Sequence, residues 1–278
     1  MDNKPRTILV AWDFTEKAEF AFAHAVSISK ITGNDITLVH IVKSDKEKTT
    51  MEERLQAEAQ RMADKFAIMP KYLVLIGSIF DILSKYASEG GTEMVVMGTH
   101  GVKGFQRFTG SWALKVIRGS RVPFLVVQDM PKYDKFDKIV FPVDFKRENK
   151  EKINWAYYLC KLHNAKIHLV HPMVADKAFR KRIYSNIVFA KKFLDNAGID
   201  CTVEATGKKA DFSKEAIEYA EKIDASVILI MTSKTISFVD YIMKPAEQSF
   251  IANEAKIPVM VLNPKPKAFS GGFSATGG

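Results

Sequence analysis

Short apolar runs alternate with longer amphipathic stretches from one end of the chain to the other. TILVAW (7–12), ITLVHIV (36–42), KYLVLI (71–76), EMVVMG (93–98) and VPFLVV (122–127) are largely apolar and rich in β-branched residues. Runs of that length without polar alternation predict strands buried on both faces. The segments between them carry the helical period instead. Ala18, Phe22, Ala25 and Val26 fall on one face of the first, and further helices are expected near residues 48–67, 79–88 and 111–119. Strands that alternate with helices form parallel pairs, each reached by a right-handed crossover. The predicted class is α/β and doubly wound, with helices on both faces of each sheet.

The order then starts again. KIVFPVD (138–144) matches TILVAWD (7–13), AKIHLVHPM (165–173) matches NDITLVHIV (34–42), ASVILIMTSK (225–234) matches TEMVVMGTH (92–100), and KIPVMVLNP (256–264) matches RVPFLVVQD (121–129). Four matches in one order point to an internal duplication. The expected units are residues 1–132 and 133–265, with 266–278 a mobile tail free of any packing pattern. An apolar last strand would be a hazardous edge if left open, so the two copies are expected to pair through VPFLVV and IPVMVL.

Composition narrows the class. With 278 residues, 47% hydrophobic and 26% charged, the chain is an ordinary globular protein able to bury a core without staples. No apolar run approaches a bilayer-spanning length, and the first residues are too polar for a signal peptide. Cys160 and Cys201 lack a CxxC partner and read as buried, reduced thiols. The expected compartment is cytoplasmic. The net charge of +9 is uneven: residues 1–134 hold 18 basic and 16 acidic side chains, the remainder 23 and 16. Solvated helix faces are the expected seat of this excess. No arginine-rich arm, zinc finger or aromatic-basic motif argues for nucleic acid, and no membrane partner is expected.

The stretch GTHGVKGFQRFTGS (98–111) follows the fourth strand with four glycines and no acid. Glycine at 98 and 101 opens backbone angles closed to other residues and lets a ligand approach the main chain. Ser111 is a suitable N-cap for the next helix, whose free amides and dipole favour phosphate. Lys103 and Arg107 add cationic donors. Asp13 ends the first strand. In a doubly wound sheet strands one and four are neighbours, and ligands bind where the winding reverses. A plain connecting loop is the competing reading. Trp12 suits the core or a stacked base.

These residues resemble the universal stress protein family over nearly all of residues 5–263. Its nucleotide-binding members carry G-x2-G-x9-G-[ST] after strand four and an Asp after strand one. Here Gly98, Gly101, Gly110, Ser111 and Asp13 stand in those places, but eight residues rather than nine separate Gly101 from Gly110. Gly104 can absorb the missing residue. The resemblance implies a five-stranded parallel sheet per unit, ordered 3-2-1-4-5. It also implies that Asp13 meets the ribose or adenine, the loop glycines surround phosphates, and backbone near Ile41 lines the adenine pocket. The expected site is Ala11, Trp12, Asp13, Ile41, Met97, Gly98, His100, Gly101, Lys103, Gly104, Arg107, Gly110, Ser111 and Trp112, with ATP the ligand, alone or with Mg²⁺.

In the second copy Thr232, Thr235, Lys244 and Pro245 replace those glycines and the serine. Asp144 survives and reads as a cap for the helix after it. That copy is expected to be structural or to hold a protein partner. His168 and His171 fall on opposite faces of a strand, so they are poor joint metal ligands. Walker, GxGxxG and GxSxG patterns are absent. The expected protein is a sensor or regulator that binds an adenine nucleotide, with slow ATP hydrolysis at most. The alternatives are a nucleotide-free interaction scaffold and a slow ATPase. The halves pair within one chain, and a homodimer is compatible with this reading.

Overall fold

The structure is a computed structural model and describes residues 6–99, 110–117, 120–145, 149–207, 211–232 and 246–264. In chain order its first half runs β1 (Thr7–Ala11), α1 (Glu16–Thr32), β2 (Asp35–Val42), α2 (Lys48–Phe66), β3 (Lys71–Ile76), α3 (Ile79–Ser88), β4 (Thr92–Gly98), α4 (Gly110–Ile117) and β5 (Phe124–Val127). The second half repeats it as β6 (Lys138–Pro142), α5 (Asn149–His163), β7 (Lys166–His171), α6 (Lys177–Asn196), β8 (Cys201–Ala205), α7 (Phe212–Lys222), β9 (Val227–Met231), α8 (Ala246–Ile251) and β10 (Val259–Leu262).

All ten strands form one sheet, ordered β3-β2-β1-β4-β5-β10-β9-β6-β7-β8. Each half alone has the expected order 3-2-1-4-5, and every pairing within a half is parallel. The halves meet where the sequence places them, at the two last strands. β5 and β10 pair antiparallel, with Phe124 opposite Val261, Leu125 opposite Met260 and Val126 opposite Val259. Both strands are buried along their whole length.

Local chemistry sets the element ends. Gly33, at φ 71°, closes α1 in the left-handed conformation and returns its amide to Ser29. Ser78, Asp176 and Asp211 cap α3, α6 and α7 through side-chain oxygens that accept backbone amides. The helices divide by face. Phe22 of α1, Leu55 of α2, Leu159 of α5 and Leu194 of α6 share one core, whereas Leu83 of α3, Val116 of α4, Ala216 of α7 and Phe250 of α8 share the other. Each core runs unbroken across both halves. Among the described residues no helix is long and apolar enough to cross a membrane.

Two expectations need correction. α5 starts only at Asn149, so Asp144 stands five residues ahead of it and not at its cap position; its backbone oxygen accepts a hydrogen bond from Asn186 at 2.9 Å. Cys160 is buried, but Cys201 is only half-buried because it opens an edge strand. Burial pushes the Cys160 thiol up to about 12.

The seam between halves is closed by two amides that occupy matching places after β5 and β10. Gln128 donates to the carbonyls of Ile251 (3.3 Å) and Asn253 (2.8 Å), just where α8 ends. Asn263 donates to Ile117 (2.6 Å) and Ser120 (3.0 Å), where α4 ends. Each half thus satisfies the orphan carbonyls of the other half's last helix. The connecting segment is tied down by buried histidines. His24 Nε2 donates to the Asp129 carbonyl at 3.2 Å, and His163 Nδ1 accepts the Phe136 amide at 3.2 Å.

Replacing Asn263 by Leu strands those carbonyls and should cost about 2 kcal/mol, seen as a lower urea midpoint at unchanged slope. Burial holds both His24 and His163 down at about 4, below the ordinary 6.5. The unfolded chain therefore binds protons first, so this stability is complete above pH 6.5 and drains as pH falls from 6.5 toward 4. For His24 alone the loss by pH 5 is about 2 kcal/mol. His24→Gln keeps the donor without the titration. It should flatten the fall in urea midpoint between pH 7 and pH 5.

Candidate functional site

The carboxyl ends of β1 and β4 lie side by side, with Ala11 opposite Met97. β1 leaves into α1 on one face of the sheet, and β4 is entered from α3 on the other. The winding reverses between them, which opens a crevice beyond the strand ends.

Asp13 stands at that point and is half-buried. Its Oδ1 accepts from the Thr15 amide at 3.1 Å and the Thr15 hydroxyl at 2.6 Å. Between them Phe14 is held at φ 61°, a left-handed conformation costly for an aromatic residue. Strain of this kind collects at functional sites, where the surroundings must hold it in place. The surroundings are visible here. The Arg54 guanidinium lies 3.9 Å from the Phe14 ring centroid, and the His40 ring meets Phe14 edge-on at 4.8 Å. His40 Nδ1 in turn donates to the Trp12 carbonyl at 2.7 Å. Phe145, in the matching place of the second half, is not among the positive-φ residues.

Other expected site residues separate by depth. Ala11 and Ile41 are half-buried and pack toward the α3/α4 face, beside Leu75. They form a small apolar shelf at the strand ends. Trp12 and Met97 are only 3% and 1% exposed. Their side chains belong to the cores on opposite faces, so neither lines the crevice as a side chain.

Gly98 has a structural duty. A β-carbon there would lie 2.3 Å from the Lys17 carbonyl oxygen and 2.5 Å from its carbon. The bare glycine lets the end of β4 press against the start of α1. Lys17 also reaches across to donate to the Gln128 carbonyl at 2.8 Å, which links the crevice to the seam. α4 begins at Gly110, so Ser111 lies in its first turn and not at the cap position. Gly110, Ser111 and Trp112 all fall within the first turn, whose amides have no partner inside the helix. His100, Gly101, Lys103, Gly104 and Arg107 lie outside the described residues.

The second half builds the same place differently. Thr232 stands where Gly98 does, is buried, and its hydroxyl bonds Asn263 Oδ1 at 2.5 Å. α5 starts seven residues after β6 ends, whereas α1 starts five after β1. The end of β6 is filled. Buried Lys152 donates to the Pro142 carbonyl at 2.6 Å and lies 4.0 Å from the Phe141 ring. Among the described residues no cluster of His, Cys, Asp or Glu could hold a metal. His168 bonds Thr202 and contacts Tyr219, while His171 turns to Pro172.

Sequence reasoning missed Phe14, Thr15, Lys17 and Arg54. The D-x-T spacing of Asp13 and Thr15 is a readable turn signal. Nothing in the sequence marks Arg54, which comes from a different helix.

Residues 4–128 match the family model described as Universal stress protein family. A Staphylococcus haemolyticus protein named for that family is 28% identical over 160 residues, covering 51% of this chain and 96% of its own. A universal stress protein of Methanocaldococcus jannaschii is 23% identical over 153 residues, covering 44% and 94%. The crystal structure of a universal stress protein from Archaeoglobus fulgidus superposes with a TM-score of 0.68 at 18% identity, over 95% of this chain and 98% of its own. That likeness extends the fold to both halves.

Gly98→Ala should be costly beyond its size, because the clash is with backbone and not with a movable side chain. A loss of about 2–3 kcal/mol in urea unfolding is expected. Thr232→Gly, which removes a side chain already accommodated, should cost less than that clash.

Proposed function

We propose that the crevice between β1 and β4 binds an adenine nucleotide, with ATP the preferred ligand, a reading supported by the match of residues 4–128 to the universal stress protein family model. The observation that carries this reading is the strained turn Asp13-Phe14-Thr15, present at the reversal point of the first half. The second half has side chains packed at its matching strand end. A half-buried carboxylate suits the hydroxyls of a ribose. The shelf of Ala11, Ile41 and Leu75 suits the flat apolar face of a base. The glycine loop and the first amides of α4 suit phosphate oxygens.

The chemistry of the donor set favours binding over turnover. Phosphoryl transfer needs a group that orients the attacking water and a firm metal site. Asp13 alone would hold Mg²⁺ only through the phosphates. The chain therefore acts as a cytoplasmic sensor or regulator whose nucleotide is retained, with hydrolysis slow at most. The second half carries no nucleotide of its own and serves as a structural partner.

The test is made on protein purified without added nucleotide. Denaturation should release material with adenine absorbance, and calorimetry should show ATP binding in the micromolar range. Asp13→Asn keeps the size of the side chain and removes its charge. It should weaken ATP binding about tenfold. If neither wild type nor variant binds at millimolar ATP, the nucleotide reading fails and a nucleotide-free scaffold takes its place.

A further inference from the structure

α2 and α6 hold the same position in the two halves. Each follows the second strand of its half and packs on the same face of the sheet. Both bury an apolar stripe, Leu55, Ala59 and Met62 in one, Ile183, Ile187, Ala190 and Leu194 in the other. Their outward faces have diverged. α2 carries four basic and four acidic residues; α6 carries six basic and one acidic. Of the seven excess positive charges after residue 134, five therefore sit on this single helix.

Its exposed face is not simply a solvated one. Tyr184 is 67% exposed and Val188 46%, whereas α2 exposes no large apolar side chain. Lys177, Lys181, Tyr184, Val188 and Lys191 recur at alternating intervals of four and three residues, which places them along one line of the helix. Arg180 and Lys192 flank that line. The charges of α2 are spent on neighbours, since Arg61 pairs with Glu58 and Glu19, and Lys48 with Glu52. On α6 Lys191 pairs with Asp195 at 3.0 Å. Among the described residues the side chains of Lys177, Arg180, Lys181 and Lys192 enter no ion pair.

We propose that α6 is a docking face for an acidic, amphipathic protein segment. The apolar pair Tyr184 and Val188, one turn apart, would receive apolar side chains of matching spacing. The cations on either side would meet its carboxylates and steer it into place. A nucleic-acid backbone would use the cations but has nothing to offer Val188. A membrane surface would demand a continuous apolar face, and here the exposed Phe179, Tyr184, Val188 and Phe189 stand among six basic side chains. The inference is independent of nucleotide binding in the first half.

The full chain is titrated at physiological ionic strength against a fluorescent peptide of Glu and Leu with leucines one turn apart. An all-Glu peptide, a single-stranded DNA and phosphatidylserine vesicles are run beside it. The Glu/Leu peptide should bind in the micromolar range, at least tenfold tighter than all-Glu. Two double variants, Lys177→Glu with Lys181→Glu and Tyr184→Ser with Val188→Ser, should each weaken it about tenfold. Lys48→Glu on α2 should leave it unchanged, and far-UV circular dichroism should be the same for all. Failure of the Glu/Leu peptide to bind, indifference to either α6 pair, or tighter binding of the DNA or vesicles overturns the proposal.

Discussion

A parallel sheet whose last strand is apolar on both faces cannot stop there. The free edge of β5 would offer unpaired amides and carbonyls to any passing strand, and so would β10. Their antiparallel pairing satisfies both edges at once and joins ten strands into one sheet. The two hydrophobic cores then run from one half into the other without a boundary. Helix placement and the position of the crevice follow from that junction.

Duplication supplied two copies of one scaffold, and the junction removed the need for both to remain alike. The apolar strands match closely because each must bury both faces. Divergence is concentrated at strand ends and on outward helix faces, where packing places fewer demands. Gly98 is required by the close approach of Lys17 at the start of α1; in the second half Thr232 is buried there and bonded to Asn263. Phe14 is strained and covered by Arg54, while Phe145 is relaxed and packs against Phe179 at 4.6 Å.

Strands, the repeat and the β5–β10 junction were legible in the sequence, because they rest on hydrophobic period and on the need to cover an edge; the sheet order within each half came from the family resemblance. Of the candidate site, only the strand-end positions can be compared. Asp13, Ala11 and Ile41 stand at the strand ends as the pattern requires. Burial depth was less readable. Trp12 and Met97 each sit one place from an accessible residue, and period alone does not say which member of such a pair turns inward. Asp144 misses the cap position because α5 starts at Asn149, five residues on, a start that the carboxylate alone does not encode. Arg54 over Phe14 and Lys17 against Gly98 are contacts between elements distant in sequence, which no local pattern encodes.

The seam also bears on the crevice itself. α4 follows the glycine loop in sequence, and its last carbonyls are held by Asn263 from the other half. The same Asn263 accepts a hydrogen bond from Thr232, the residue that replaced the glycine in the second copy. A helix of eight residues has little rigidity of its own, since most of its backbone groups lie in its two end turns. Fixing its far end limits how far its near end can tilt. The second half thus contributes to the geometry of the first half's crevice without contributing a side chain to it.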